Sequence, residues 1–190
     1  MIRLYAFLGN YGKEYSGNRH NVAWQFLDSL RLKGDLSWEH KYKGRVASKE
    51  IGGERVWFLT PETYMNNSGE SIGDLMRFYR MEPSEVLAIH DDLEMAFGTF
   101  GFKFSGGLGG HNGLRSMEKH LGTRDFARLR FGIGRPDHSD VAGYVLSDFK
   151  KDEKEILDTA VFPRAEKALQ ECLDKGFEGM AEQYKKVLCL

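Results

Sequence analysis

The sequence predicts an α/β fold, a single-domain mixed β-sheet with helices packed on both faces. Three observations carry that expectation. Apolar runs of strand length alternate with amphipathic helical patterns, the signature of a sheet crossed by helices. A Gly52-Gly53 dipeptide joins two strand-like runs and so adds antiparallel pairing. Finally, 190 residues, 41% hydrophobic and 29% charged, are enough to bury one core. No repeat, low-complexity tract or linker divides the chain, so the domain is expected to run over residues 1–190.

Ile2 to Phe7 reads as a buried first strand. Residues 21–32 follow as a helix, with Val22, Ala23, Phe26, Leu27 and Leu30 on one face and Gly34 as its stop. Gly44 to Ile51 and Arg55 to Thr60 are the two hairpin strands. Pro61 to Gly69 forms a loop into a second helix. Asn67 and Glu70 have capping-box spacing there, and Ile72, Leu75, Met76 and Tyr79 make the inward stripe. Val86 to His90 is a second buried strand ending in His-Asp-Asp, and Gly98 to Phe104 is a further strand. Ser105 to Asn112 is a glycine-rich loop opening a helix that carries Leu114, Met117 and Leu121. Phe126 to Ile133 alternates apolar residues with Arg128 and Arg130, a strand with one charged face. Beyond Asp148, Ala165 to Leu173 marks one helix, started or kinked by Pro163 and ended by Gly176. Phe177 to Leu188 marks another.

Composition narrows the function classes. No run approaches the ~20 apolar residues of a membrane span, and the N-terminus enters a strand pattern without the parts of a signal peptide. Cys172 and Cys189 make neither a zinc spacing nor a disulfide framework, which fits a reducing cytoplasm. The net charge is −1, but residues 101–135 hold seven basic residues against two acidic ones. That local excess of five is either a solvated face or a footprint for a polyanion.

Polar residues gather at four junctions: Asn10 with His20, Asn66 with Asn67, Asp91 with Asp92, and His111 with Asn112. Loops at the carboxyl ends of strands in an open α/β sheet converge on one crevice. His20 is the natural general base there, as the side chain that titrates near working pH. Asp91, directly after an apolar run, is placed to orient it, and strand alternation turns Asp92 the other way. Asparagine amides suit gripping a peptide or polarising a carbonyl. The glycine-rich loop suits an anion, yet it has neither the Gly-Lys-Ser/Thr of a Walker loop nor a full G-x-G-x-x-G. No G-x-S-x-G elbow is present and neither cysteine sits in a loop beside a histidine, which argues against a protein nucleophile. His20, His90, Asp91, Asp92 and His111 lack a close ligand pair such as His-x-x-x-His, so neither metal nor cofactor is expected. Water activated directly by His20 is the simplest chemistry left.

Five ordered motifs go further: Leu8-Gly-Asn-Tyr-Gly with Arg19-His-Asn, Thr63-Tyr-Met-Asn-Asn-Ser-Gly69, His90-Asp-Asp-Leu, Gly109-Gly-His-Asn-Gly-Leu-Arg-Ser116, and Arg128-Leu-Arg-Phe-Gly-Ile-Gly-Arg-Pro136. Together, over nearly the whole chain, they resemble the bacterial-type peptidyl-tRNA hydrolases. Tyr11 stands where that family usually has proline, and Asn18 where it usually has threonine. The resemblance implies hydrolysis of the ester between a peptide and the 3′ end of tRNA by a cytoplasmic monomer with no membrane association. It implies His20 as the base, Asp91 as its orienting partner, and Asn10 and Asn66 near the scissile carbonyl and peptide. Asn112 would position substrate or water, Tyr15 and Tyr64 would meet the terminal nucleotide or peptide, and Lys103 and Arg130 would meet tRNA phosphate. His111 belongs to the motif with a less defined part in binding. A non-catalytic RNA-binding module and a metal-dependent hydrolase are the rival readings.

Overall fold

The computed structural model describes residues 1–190. Its centre is one eight-stranded sheet: β1 (Leu4–Phe7), β2 (Glu39–Lys41), β3 (Gly44–Ile51), β4 (Glu54–Pro61), β5 (Val86–Asp92), β6 (Thr99–Phe104), β7 (Ala127–Gly132) and β8 (Val187–Leu188). The spatial order is β2-β3-β4-β1-β5-β7-β6-β8. The inner strands β4, β1, β5 and β7 run parallel, while both flanks are antiparallel. The sheet is therefore mixed, with helical layers on both sides.

Alternation sorts the two faces. Tyr5, Phe7, Leu87, Ile89, Leu129 and Phe131 point into one core, covered by α1 (Val22–Ser29) and α7 (Phe162–Lys175). Leu4, Ala6, Leu8, Val86 and Ala88 point into the other, covered by α3 (Ser68–Tyr79) and α4 (Asn112–Leu121). In the first core Phe26 packs on Phe131 with ring centroids 4.9 Å apart. Each such buried ring contributes roughly 2–3 kcal/mol by leaving water. At the β3–β4 turn Gly52 and Gly53 both take positive φ, 60° and 82°, the two-residue turn whose twist matches the strands.

Four local expectations are corrected. The first helix breaks at Leu30, which is extended and points into the core; the chain restarts as α2 (Arg31–Gly34), whose first N–H donates to the Glu166 carboxylate of α7 at 2.9 Å. Asn67 sits at the N-cap position of α3, but its side chain makes no cap bond. Instead the hydroxyl of Ser116 accepts the Gly69 N–H (2.9 Å), a tertiary contact from α4 that no local pattern announces. The segment after α8 (Phe177–Met180) is not a longer helix: it turns and lays β8 against β6. Gly101 permits this, because a Cβ there would fall 2.1 Å from the Lys185 carbonyl oxygen. Lastly, the charged face expected on β7 is not solvated, since Arg128 is buried. At Pro163 the chain passes from a π-helical stretch, Leu157–Val161, into the first turn of α7, which tolerates a residue without an N–H.

The parallel strands bring the turns after β1, β4 and β5 to one end of the sheet. The glycine-rich loop arrives differently. It leaves β6, antiparallel to β7, and climbs back across the sheet to start α4. Arg128 holds it on the way, donating to the carbonyls of Gly107 (2.6 Å) and Gly106 (3.0 Å) while stacking on Phe126.

Candidate active site

Asp91 is the last residue of β5 on the face that carries Leu87 and Ile89, and it is 2% exposed. A carboxylate so buried requires partners, and two imidazoles provide them. His20, in the turn before α1, presents Nδ1 to both Asp91 oxygens, 3.0 Å from Oδ1 and 2.8 Å from Oδ2. His111, the N-cap of α4 in the opposite layer, donates from Nε2 to Oδ1 at 2.8 Å. Asp91 therefore joins the two helical layers at the carboxyl end of the sheet. Burial would raise its pKa, but the two imidazoles more than reverse this and hold it well below the usual carboxylate range. Burial would lower the pKa of His20, and Asp91, by its charge and hydrogen bond, outweighs that and raises it above the ordinary 6.5.

Because a carboxylate only accepts, the His20 nitrogen facing Asp91 carries the proton. The other nitrogen, Nε2, makes no hydrogen bond within the protein and is left with its lone pair, the form a base requires. His20 is held from behind by its neighbour: Arg19 donates to Ser147 Oγ (2.7 Å), the Asp148 carbonyl (2.6 Å) and Glu153 Oε1 (2.8 Å), and stacks on Tyr144.

Asn10 is equally constrained. Its Oδ1 accepts the Met65 N–H at 2.7 Å, so its amide nitrogen remains as the free donor. Asn21 fixes its backbone twice, accepting the Asn10 N–H (2.8 Å) and donating to the Asn10 carbonyl (3.0 Å). This second asparagine lies in the Arg-His-Asn motif, but only the fold shows that it serves Asn10. Asn66, next to Met65, is exposed and makes no side-chain hydrogen bond. Tyr15 and the exposed Tyr64 meet edge to face at 6.3 Å on the rim.

A cavity of about 370 Å³ opens beside His20 and Asp91, lined also by Asp92, Lys103, His111, Asn112 and Arg130. Asn10, Asn66, Tyr15 and Tyr64 stand outside its lining. Asp92 faces away from Asp91, as strand alternation requires, and lies 3.7 Å from Arg130. Arg130 is thus partly occupied, donating also to the Lys185 carbonyl (3.3 Å), whereas Lys103 is exposed and makes no ion pair. Asn112 is exposed at the first turn of α4, where its Oδ1 accepts from Arg115 at 3.3 Å. His90 turns to the same side as Asp92. Its Nδ1 donates to the Asp91 carbonyl at 2.7 Å, and burial pushes its pKa down to about 3.

The ligand atoms of His20, Asp91 and His111 lie within 4.8 Å of one another, a spacing that by itself resembles a metal site. The hydrogen bonding points elsewhere. Both nitrogens facing Asp91 carry protons, and Nδ1 of His111 already accepts the N–H groups of Gly113 (3.0 Å) and Leu114 (3.3 Å). The donor set is built as a hydrogen-bond relay and not as a ring of open lone pairs.

Fold and site together define an α/β protein with a buried, hydrogen-bonded imidazole–carboxylate cluster at the carboxyl end of its parallel strands. A family model described as Peptidyl-tRNA hydrolase matches residues 4–188. A peptidyl-tRNA hydrolase of Agrobacterium fabrum is 46% identical over 159 residues, 83% of this chain and 66% of that protein. One of Azoarcus sp. is 46% identical over 162 residues, 84% of this chain and 73% of that protein. The crystal structure of peptidyl-tRNA hydrolase from Acinetobacter baumannii superposes with a TM-score of 0.87 at 35% identity, covering 97% of this chain and 96% of that one. The chain belongs to the peptidyl-tRNA hydrolase family.

Proposed function

We propose that the protein hydrolyses the ester joining a peptide to the 3′ ribose of tRNA, with His20 as general base. One observation carries the reading: in a chain of this family, His20 donates its Nδ1–H to Asp91 and keeps Nε2 free beside a cavity. A water on Nε2 passes its proton to the ring as its oxygen attacks the ester carbonyl. The resulting imidazolium is stabilised by Asp91, and the proton then goes to the departing 3′ oxygen, which releases free tRNA and peptide. The Asn10 amide nitrogen, left as the free donor because its oxygen accepts the Met65 N–H, is the donor for the carbonyl oxygen as negative charge builds. Asn66 and Asn112 hold the peptide and substrate end, and Tyr15 and Tyr64 offer aromatic edges to the terminal nucleotide. Lys103, free and exposed, takes a tRNA phosphate, and Arg130 adds to that field from its pairing with Asp92. No cofactor enters this chemistry.

In this reading the protein acts as a cytoplasmic monomer; no helix is long and apolar enough to cross a membrane. Cleavage of a model peptidyl-tRNA by the protein and by its His20→Ala variant tests the proposal. The account expects product from the first, and from the second no product while tRNA binding persists. Turnover by the variant would overturn it.

A further inference from the structure

We propose that His111 is a positioning residue for the base: as the neutral Nε2–H tautomer, locked by the helix cap it makes through Nδ1, it holds Asp91 from the side opposite His20 and sets how strongly Asp91 grips the His20 proton. This rests on the reading of His20 as base and deepens it.

An imidazole nitrogen that accepts two backbone N–H groups must be bare, and Nδ1 of His111 accepts from Gly113 and Leu114. The ring's single proton therefore sits on Nε2, 2.8 Å from Asp91 Oδ1. Putting a second proton on Nδ1 would break the cap and place a positive charge at a helix N-terminus, where the dipole opposes it. His111 thus donates to Asp91 without competing for the proton that His20 takes up, although the two rings are only 4.9 Å apart. Its bond is present whether His20 is charged or neutral. It spreads the Asp91 charge over two donors, so each is held less tightly than a sole partner would be.

The other titratable groups around the pair are committed elsewhere. His90 donates to the Asp91 carbonyl and not to its carboxylate. Asp92 faces Arg130. Arg19, on the same turn as His20, is paired with Glu153. Arg128 is engaged with loop carbonyls.

Two substitutions separate the two jobs of His111. Asparagine is a favoured N-cap, and its side chain ends near the Nδ1 position, short of Asp91. His111→Asn keeps the helix cap and is expected to melt only slightly below wild type, by the one donor that Asp91 loses. The His20 imidazole, followed by NMR in the free protein, should titrate roughly half to one pH unit higher, because Asp91 then has one donor. Glutamine reaches the Nε2 position but leaves Nδ1 empty. His111→Gln should therefore melt several degrees lower, roughly the loss of one cap, with His20 titrating close to wild type. A wild-type His20 titration in His111→Asn would overturn the proposal, as would a large drop in its melting temperature or a glutamine variant that shifts like asparagine. The titration needs no turnover, so its outcome is independent of the His20→Ala cleavage test.

Discussion

Two clusters of charge sit within one cleft and are built on opposite terms. In the His20–Asp91–His111 centre the polar atoms are committed inward: Asp91 takes three close contacts from two rings, and only Nε2 of His20 is left free. Along β6 and β7 the commitment is graded. Lys103 is unpaired, Arg130 is shared with Asp92, and Arg128 is spent on loop carbonyls and the ring of Phe126. In the proposed reading, the difference separates charges that perform chemistry or meet a partner from charges that shape the cleft. Residue type alone does not make that separation; burial and partners do.

The largest expected effects lie in the catalytic centre. His20→Ala is expected to bring ester cleavage below detection in a single-turnover peptidyl-tRNA assay, since losing a positioned base alone costs about 10²–10⁴-fold. Asp91→Asn should fall within the same range, because an amide accepts through only one of its two atoms and leaves His20 free to choose the wrong tautomer. The wild-type acid limb gives the sign. His20 must be unprotonated to act, and its pKa is raised. Activity should therefore rise with pH through a midpoint above 6.5, and a midpoint below 6.5 would contradict the grip of Asp91. The same shift makes the His20–Asp91 pair stabilise the fold most below pH 6.5 and lose that contribution as pH rises through the folded value.

The structural arginine comes next. Arg128→Met removes a buried guanidinium and leaves the Gly106 and Gly107 carbonyls without donors. It should cost about 2–4 kcal/mol in chemical denaturation. A fully stable variant would mean that Arg128 belongs with the exposed charges after all. Smallest are the phosphate contacts. Lys103→Ala should weaken tRNA binding several-fold and reduce the slope of log K against log salt by about one. Arg130→Ala should change that slope by less, because Asp92 already offsets its charge. Equal slopes for the two variants would erase the gradation.

Much of the fold was legible because its signals are local. The Gly52-Gly53 turn, the inward stripe of α3 and the apolar run of β5 each depend on residues a few positions apart. What was not legible depends on distant partners. Ser116 supplies the start of α3 that Asn67 was expected to cap, and Glu166 meets the first N–H of α2 across the molecule. β8 exists because a glycine in β6 lets the chain approach. The site divides in the same way. Strand alternation placed Asp91 and Asp92 on opposite faces from sequence alone, and the junction pattern brought Asn10, His20, Asp91 and His111 to one end of the sheet. The burial of Arg128 and the double bonding of His111 arise only when the glycine-rich loop folds back over β7, and the service of Asn21 to Asn10 only when the turn before α1 packs on the turn after β1. The exposed Tyr11, which stands where the family usually has proline, lines a separate cavity with Trp24 and Trp38 and leaves the Asn10 bonds intact.

The central claim is that a water-activating His20, held by Asp91, cleaves the ester without a metal. It is tested most directly by peptidyl-tRNA cleavage measured for the wild type with and without a chelator, alongside His20→Ala. The account predicts unchanged wild-type turnover on chelation, and no detectable product from the variant although it still binds tRNA. Product from His20→Ala, or loss of wild-type turnover on chelation, would contradict it.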